Sequence, residues 1–242
     1  MDAARAMEIP ARFNGPPGSG NGGYTAGRLA SFVDAPAVEV TLRAPPPLDT
    51  PLVVDADGDG VAARHGDTLV ATARPVVLDI AAPAPPPPER AAAAMERAVF
   101  LDEEAHPFPS CFVCGPRRAP GDGLRIFAGP LGDGRYAAAW TPDASLAGDD
   151  GALPAEVVWA SLDCPTSAPI ANDPGRSSFL PVVLGRLAVR IDAPVVAGEP
   201  HVVIAWPIGI DGRKRQAGAA LYGPRGELCG VSRALWIELR AS

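Results

Sequence analysis

The chain repeats itself, and the repeat restricts the fold more than any other feature. "VEVTLRAPPPLDTPLVV" from Val38 and "LAVRIDAPVVAGEPHVV" from Leu187 align at an offset of 149. This sets Leu187 on Val38, Ala193-Pro194 on Ala44-Pro45 and Pro200 on Pro51. Each copy reads as an alternating apolar strand, a proline-bearing turn and a second apolar strand. Further on, "DTLVATARPVVLDI" from Asp67 matches "GELCGVSRALWIEL" from Gly226 at an offset of 159, so the second copy carries ten more residues between the two blocks. The strand "RKRQAGAALYG" lies in that interval, with "DGDGVAARHG" as its weaker counterpart. "PRGE" around Gly226 and "RHGD" around Gly66 read as matching hairpin turns. A chain built this way contains one structural unit twice.

A helix precedes each copy. In the first unit it starts within "GGYTAGRLASFV". In the second it is "LPAEVVWASLDC", where Pro154 suits a first helical turn, the spacing of Val157, Val158, Ser161 and Leu162 is helical, and Pro165 stops the run. An additional hairpin, "GLRIFAGPLGDGRYAAAWTP", comes ahead of the second helix. Between the units, "APAPPPPERAAAAMERAVFLDEE" gives a stiff polyproline spacer and a short alanine-rich helix. The expected class is α+β, with a first repeat over residues 1–90, a linker with a short helix over 91–110 and a second repeat over 111–242.

Composition matters mainly for what it excludes. With 47% hydrophobic residues the chain can bury a real core, and its formal net charge of −7, with a single lysine (Lys214), lacks the clustered basic footprint of a nucleic-acid binder. No segment reaches the roughly 18 apolar residues of a membrane span. The N-terminal "MDAARAMEIPARF" has no hydrophobic signal core, so the expected location is the cytoplasm. Four cysteines are too sparse for a disulfide framework in a chain this long.

Several motifs resemble a known superfamily. "NGGYTAGRLASF" is similar to the "HGGYLLALL" element that opens the central helix of hotdog-fold acyl-CoA thioesterase-like proteins. "VEVTLRAPPPLDTPL" resembles the strand and proline turn that follow it, and "RGELCGVSRALWIEL" resembles their last hairpin. "WASLDCP" occupies the place where the second helix of the double-hotdog thioesterases carries an aspartate. The resemblance spans roughly residues 15–80 and 123–239 and implies a double hotdog: two helices, each wrapped by an antiparallel sheet. It departs at Asn21, where many relatives have histidine, and at Ser232 or Arg233, near the place of a catalytic glutamine.

The glycines of "GSGNGG" invite comparison with a phosphate loop. That reading fails, because no Lys-Ser/Thr follows them and no strand precedes them. Two readings remain. In one, Gly22 and Gly23 bring free helix N-terminal N–H groups to a thioester carbonyl; in the other, they only let the helix pass close to its partner. Asp163 ends an apolar helix, so its carboxylate suits a general base or nucleophile, or else it caps a local turn before Pro165. Glu156, seven residues earlier, is a reserve acid or base.

"CFVCG" has zinc-ligand spacing, but one CxxC supplies two ligands, and His106 is the nearest further candidate. Cys164 or Cys229 would have to arrive from far away, so the expectation is a packed CxxC without metal. "GRKRQ" (residues 212–216) reads as a solvated hairpin edge or a contact for coenzyme A phosphates. No GxSxG elbow and no Asp/His pair at a helix start are present, which disfavours α/β-hydrolase and hydratase chemistry.

The expected function is hydrolysis of a fatty or small acyl-CoA thioester without a cofactor. Asp163 and Asn21 are the expected catalytic residues, and Gly22, Gly23, Tyr24, Glu156 and Arg233 the expected substrate contacts. The alternative is a catalytically silent module that binds an acyl-CoA or lipid-like ligand. Acyl-CoA is the expected partner, with no nucleic acid and no membrane. The double unit is expected as a monomer or a homodimer.

Overall fold

The structure is a computed structural model that describes residues 5–171 and 182–239. Its elements run β1 (Arg5–Met7), α1 (Gly22–Ala30), β2 (Ala37–Leu42), β3 (Leu52–Asp57), β4 (Gly60–His65), β5 (Thr68–Pro75) and α2 (Pro88–Met95). After these come β6 (Gly129–Pro130), β7 (Tyr136–Trp140), α3 (Ala155–Ser161) and α4 (Ala168–Ala171). The chain ends with β8 (Val182–Ile191), β9 (His201–Asp211), β10 (Lys214–Tyr222) and β11 (Leu228–Glu238).

The strands form one antiparallel sheet in the order β1-β3-β4-β5-β2-β8-β11-β10-β9-β7-β6. The repeat is visible in that order, because β3-β4-β5-β2 is mirrored by β9-β10-β11-β8. The strands that open the two matching blocks meet at the centre, with Val38 opposite Val189 and Val40 opposite Leu187. The turns read from "RHGD" and "PRGE" contain Gly66 (φ 55°) and Gly226 (φ 77°), a left-handed conformation that glycine adopts without the cost a side chain brings. One strand has no sequence signal. β1 is three residues long and adds to β3 as β7 adds to β9.

Strict alternation sorts the strand residues between two faces. Val38, Val40, Leu187, Val189, Val203, Ala205, Ala217, Ala219 and Leu221 belong to the main core, on the face that carries α1 and α3. Ala37, Ala188, Ile204, Ala220 and Val231 point to the other face. The segment that follows β5, inside the span assigned to the first repeat, covers that second face. Val76, Leu78 and Ile80 pack there, and the Tyr222 hydroxyl donates to Pro83 O at 2.8 Å. α2 begins at Pro88, inside the span assigned to the first repeat, and buries Ala91 and Ala94 fully against Ala137 and Val202. This strap is an extended chain laid onto an apolar surface, tied down at its end by the Tyr222–Pro83 hydrogen bond.

α1 and α3 cross closely. Gly23 and Gly27 form the contact ridge of α1. A Cβ on Gly23 would lie 2.9 Å from Ala160 Cα and from Trp159 O, and one on Gly27 would lie 2.5 Å from Glu156 Cα. Only glycine admits that approach. α3 ends at Ser161, two residues earlier than the sequence pattern suggested, and Asp163 precedes a 3-10 turn over Cys164–Ser167. Pro165 does not terminate the helical path. It sits in the first turn of that segment, where its missing N–H costs nothing, and α4 follows directly.

Candidate active site

The site forms where the start of α1 meets the end of α3. Asn21 caps α1, its Oδ1 accepting from the Tyr24 N–H at 2.9 Å. This leaves the Asn21 amide free to turn inward, where Nδ2 donates to Asp163 Oδ2 at 3.4 Å and to Cys164 Sγ at 3.6 Å. The Gly23 N–H donates to Asp163 Oδ2 at 2.8 Å. Asp163 is 2% exposed, and its Oδ1 has no partner among the described residues. Burial, set against the Gly23 N–H that favours the charged form, pushes the carboxyl up to about 7.

A cleft of about 480 Å³ opens in front of this arrangement. Its wall includes Asn21, Gly22 and Asp163, with Leu42 of β2, Leu184 of β8 and Trp236 of β11 supplying apolar surface. Both repeats therefore contribute. Trp236 is fixed by its Nε1, which donates to Thr166 Oγ1 at 2.8 Å, and Thr166 Oγ1 in turn donates to the Asp163 backbone carbonyl at 2.6 Å. Arg43 lies on the same wall and is exposed, so a positive charge stands at the rim. Among the described residues, no acceptor meets the Gly22 N–H. An N–H at a helix N-terminus that faces a cleft is a natural donor to a carbonyl oxygen.

The residues singled out in the sequence divide accordingly. Asn21, Gly22 and Asp163 share the cleft wall, while Gly23 lies behind them and holds the aspartate. Three others point elsewhere. Tyr24 stacks on Phe13 with ring centroids 3.8 Å apart and meets Phe112 edge-on, so it belongs to an aromatic core, and burial pushes its hydroxyl up to about 12. Glu156 pairs with Arg28 at 3.2 Å across the helix crossing and does not line the cleft. Arg233 is on the strap side of β11, donating to Asp79 O at 2.7 Å, because neighbouring residues of a strand face opposite ways. Ser232 faces inward but is engaged, its hydroxyl donating to Leu162 O at 2.8 Å. The basic run 212–216 forms the β9–β10 hairpin tip, where Arg215 pairs with Glu238 at 3.1 Å.

One feature of the site had only half a signal in the sequence. Cys111, Cys114 and Cys164 are all buried, and their sulfurs lie within 4.8 Å of one another. Cys164, expected to be remote from the CxxC, is brought to it by the turn that follows Asp163. Cys229 stays outside the group, its Sγ near Glu227 O at 3.8 Å.

Comparison with known proteins gives no matching family model and no matching curated sequence. Solved structures do match. A candidate thioesterase of Novosphingobium aromaticivorans aligns over 99% of this chain and 97% of its own at 17% identity, with a TM-score of 0.63. A tesB protein of Mycobacterium avium subs. paratuberculosis aligns over 97% and 91% at 15% identity, with a TM-score of 0.58. A protein of unknown function with a hotdog fold, from Alicyclobacillus acidocaldarius, aligns over 100% and 96% at 10% identity, with a TM-score of 0.54. The fold of this chain is the double hotdog, as the family resemblance implied. No helix of the described residues is long and apolar enough to cross a membrane.

Proposed function

We propose that this double-hotdog chain hydrolyses an acyl-CoA thioester in the cleft between its repeats. The observation that carries the reading is the placement of Asp163. One of its oxygens is held by the Gly23 N–H, the other has no partner among the described residues, and the carboxylate sits on the wall of an apolar cleft beside the Gly22 N–H, which meets no acceptor among them. The acyl chain would lie along Leu42, Leu184 and Trp236, and Arg43 at the rim would meet a phosphate of coenzyme A. With the thioester oxygen at the Gly22 N–H, the carbonyl carbon stands open to a water that Asp163 can reach.

The chemistry follows from those positions. Asp163 takes a proton from water as the water oxygen bonds to the carbonyl carbon, and the oxyanion that forms is stabilised by the Gly22 N–H and the helix N-terminus. The carbon–sulfur bond then breaks, the coenzyme thiolate takes the proton from Asp163, and the free acid remains. Asn21 supports the aspartate through its Nδ2.

A second reading, binding without hydrolysis, is favoured by Ser232. The inward position of the last strand carries a short hydroxyl already bonded to Leu162 O, with no amide to assist a water. Incubating the purified chain with acyl-CoAs of graded length, following free thiol and binding heat together, separates the two. Hydrolysis predicts thiol release that depends on chain length; the binding reading predicts heat without thiol.

A further inference from the structure

On the cleft wall, two turns bring three sulfurs together. Cys111 and Cys114 come from one tight turn, and Cys164 comes from the 3-10 turn after α3. Cys111 Sγ and Cys164 Sγ are 3.8 Å apart. Tetrahedral zinc with Zn–S bonds of about 2.3 Å has ligand sulfurs about 3.8 Å apart, so this spacing matches the edge of a zinc–thiolate tetrahedron. The thiols are buried, and burying several thiols together is costly for whichever of them ionises unless a cation balances the charge.

The turn itself is built for ligation. The Gly115 N–H donates to Cys111 O at 2.9 Å, and a Cβ on Gly115 would sit 2.5 Å from Cys111 O and 2.6 Å from Cys111 N, so only glycine closes the loop this tightly. The Asn21 Nδ2 faces two of the sulfurs, at 3.8 Å from Cys111 and 3.6 Å from Cys164. Such N–H groups around ligand sulfurs are the outer contacts that orient metal ligands.

His106 stands on the same cleft wall as the thiols but is not a ligand. This imidazole is 5% exposed, and its Nδ1 accepts from the Phe108 N–H at 2.9 Å. Its Nε2 is buried with no partner among the described residues, and the ring lines the same cleft region as the three thiols. With Nδ1 accepting, the neutral ring carries its proton on Nε2, so that nitrogen is a hydrogen-bond donor and offers no lone pair to a metal.

We propose that Cys111, Cys114 and Cys164 bind a zinc ion through their three thiolates, in a site that pins the 106–115 loop beside Asn21 and Asp163. The expectation of a metal-free CxxC rested on two ligands; the fold supplies a third thiol within 4.8 Å of the other two. Cysteine thiolates are the characteristic donors of zinc sites.

The test uses the full chain, purified without chelator or a metal-affinity step. Elemental analysis is expected to find one zinc per chain. Anaerobic cobalt titration of reduced, metal-stripped protein is expected to give a thiolate-to-cobalt charge-transfer band and tetrahedral d–d bands. Cys114→Ser should lose the zinc and the bands, whereas Cys229→Ser should keep both. The cobalt titration of the unaltered chain decides the matter if Cys114→Ser fails to fold. Zinc far below stoichiometry with no cobalt band would overturn the site, as would a disulfide among these three cysteines in the native protein. These readouts do not depend on hydrolysis, so they stand or fall apart from the function proposed above.

Discussion

The Gly23 N–H donates to Asp163 Oδ2 at 2.8 Å, so the first turn of one repeat's helix holds the acid that follows the other repeat's helix. The two residues are 140 positions apart. The bond needs the helices in contact, and the contact needs glycine at positions 23 and 27. Assembly of the two halves and construction of the site are therefore one event.

Gly23→Ala should damage stability and site together. Its Cβ would press on the Ala160 Cα and the Trp159 carbonyl, which are backbone atoms that cannot turn aside. Overpacking of this kind costs about 1–3 kcal/mol. Urea denaturation should show that loss, and thioester hydrolysis should fall with it. Gly58, in an open turn with no atom near its absent Cβ, is the control: Gly58→Ala carries only the strain of its φ of 62° and should leave hydrolysis unchanged.

Gly22→Ala should behave differently. Here the added methyl meets Leu184 Cδ2 at 2.8 Å and Leu42 Cδ1 at 3.2 Å, the far ends of side chains that can rotate. Stability should change by less than about 1 kcal/mol. The cleft narrows instead, so KM for the longest accepted acyl chain should rise by roughly tenfold while shorter chains are little affected. An unchanged length profile would remove Gly22 from the acyl-binding wall.

Glu156→Gln tests whether the second carboxylate of α3 takes part. Its partner is Arg28 at 3.2 Å on a half-exposed helix crossing, and such pairs contribute about 0.2–1 kcal/mol. A small drop in melting temperature with hydrolysis within about twofold is expected. Loss of kcat comparable to that from altering Asp163 would return Glu156 to the chemistry.

The sheet was legible because repetition and alternation are local signals. The offset of 149 maps onto β2 and β8, which pair at the centre, and that of 159 onto β5 and β11, which flank them; the inward positions of β2 and β8 can be read from every second residue. Asp163 stood out because a carboxylate ends an apolar helix. What escaped depended on distant contacts or on direction. Tyr24 sits in a glycine motif that elsewhere reads as a ligand site, yet Phe13 and Phe112 take its ring. Arg233 lies one residue from an inward position, and one residue reverses the face of a strand. The sulfur cluster was half visible, since CxxC is a sequence pattern but the arrival of Cys164 is a property of the fold. β1, with three residues, is too short to carry any periodicity.

The central claim is that Asp163 accepts a proton from the attacking water. Asp163→Asn keeps the size of the side chain and can still accept from the Gly23 N–H, but it removes the proton acceptor. Hydrolysis of the best acyl-CoA should fall by about 100-fold or more, the range for losing a general base, while calorimetry shows binding within a few-fold of the unaltered chain. A correctly folded Asp163→Asn protein that hydrolyses the thioester at the unaltered rate would contradict the account.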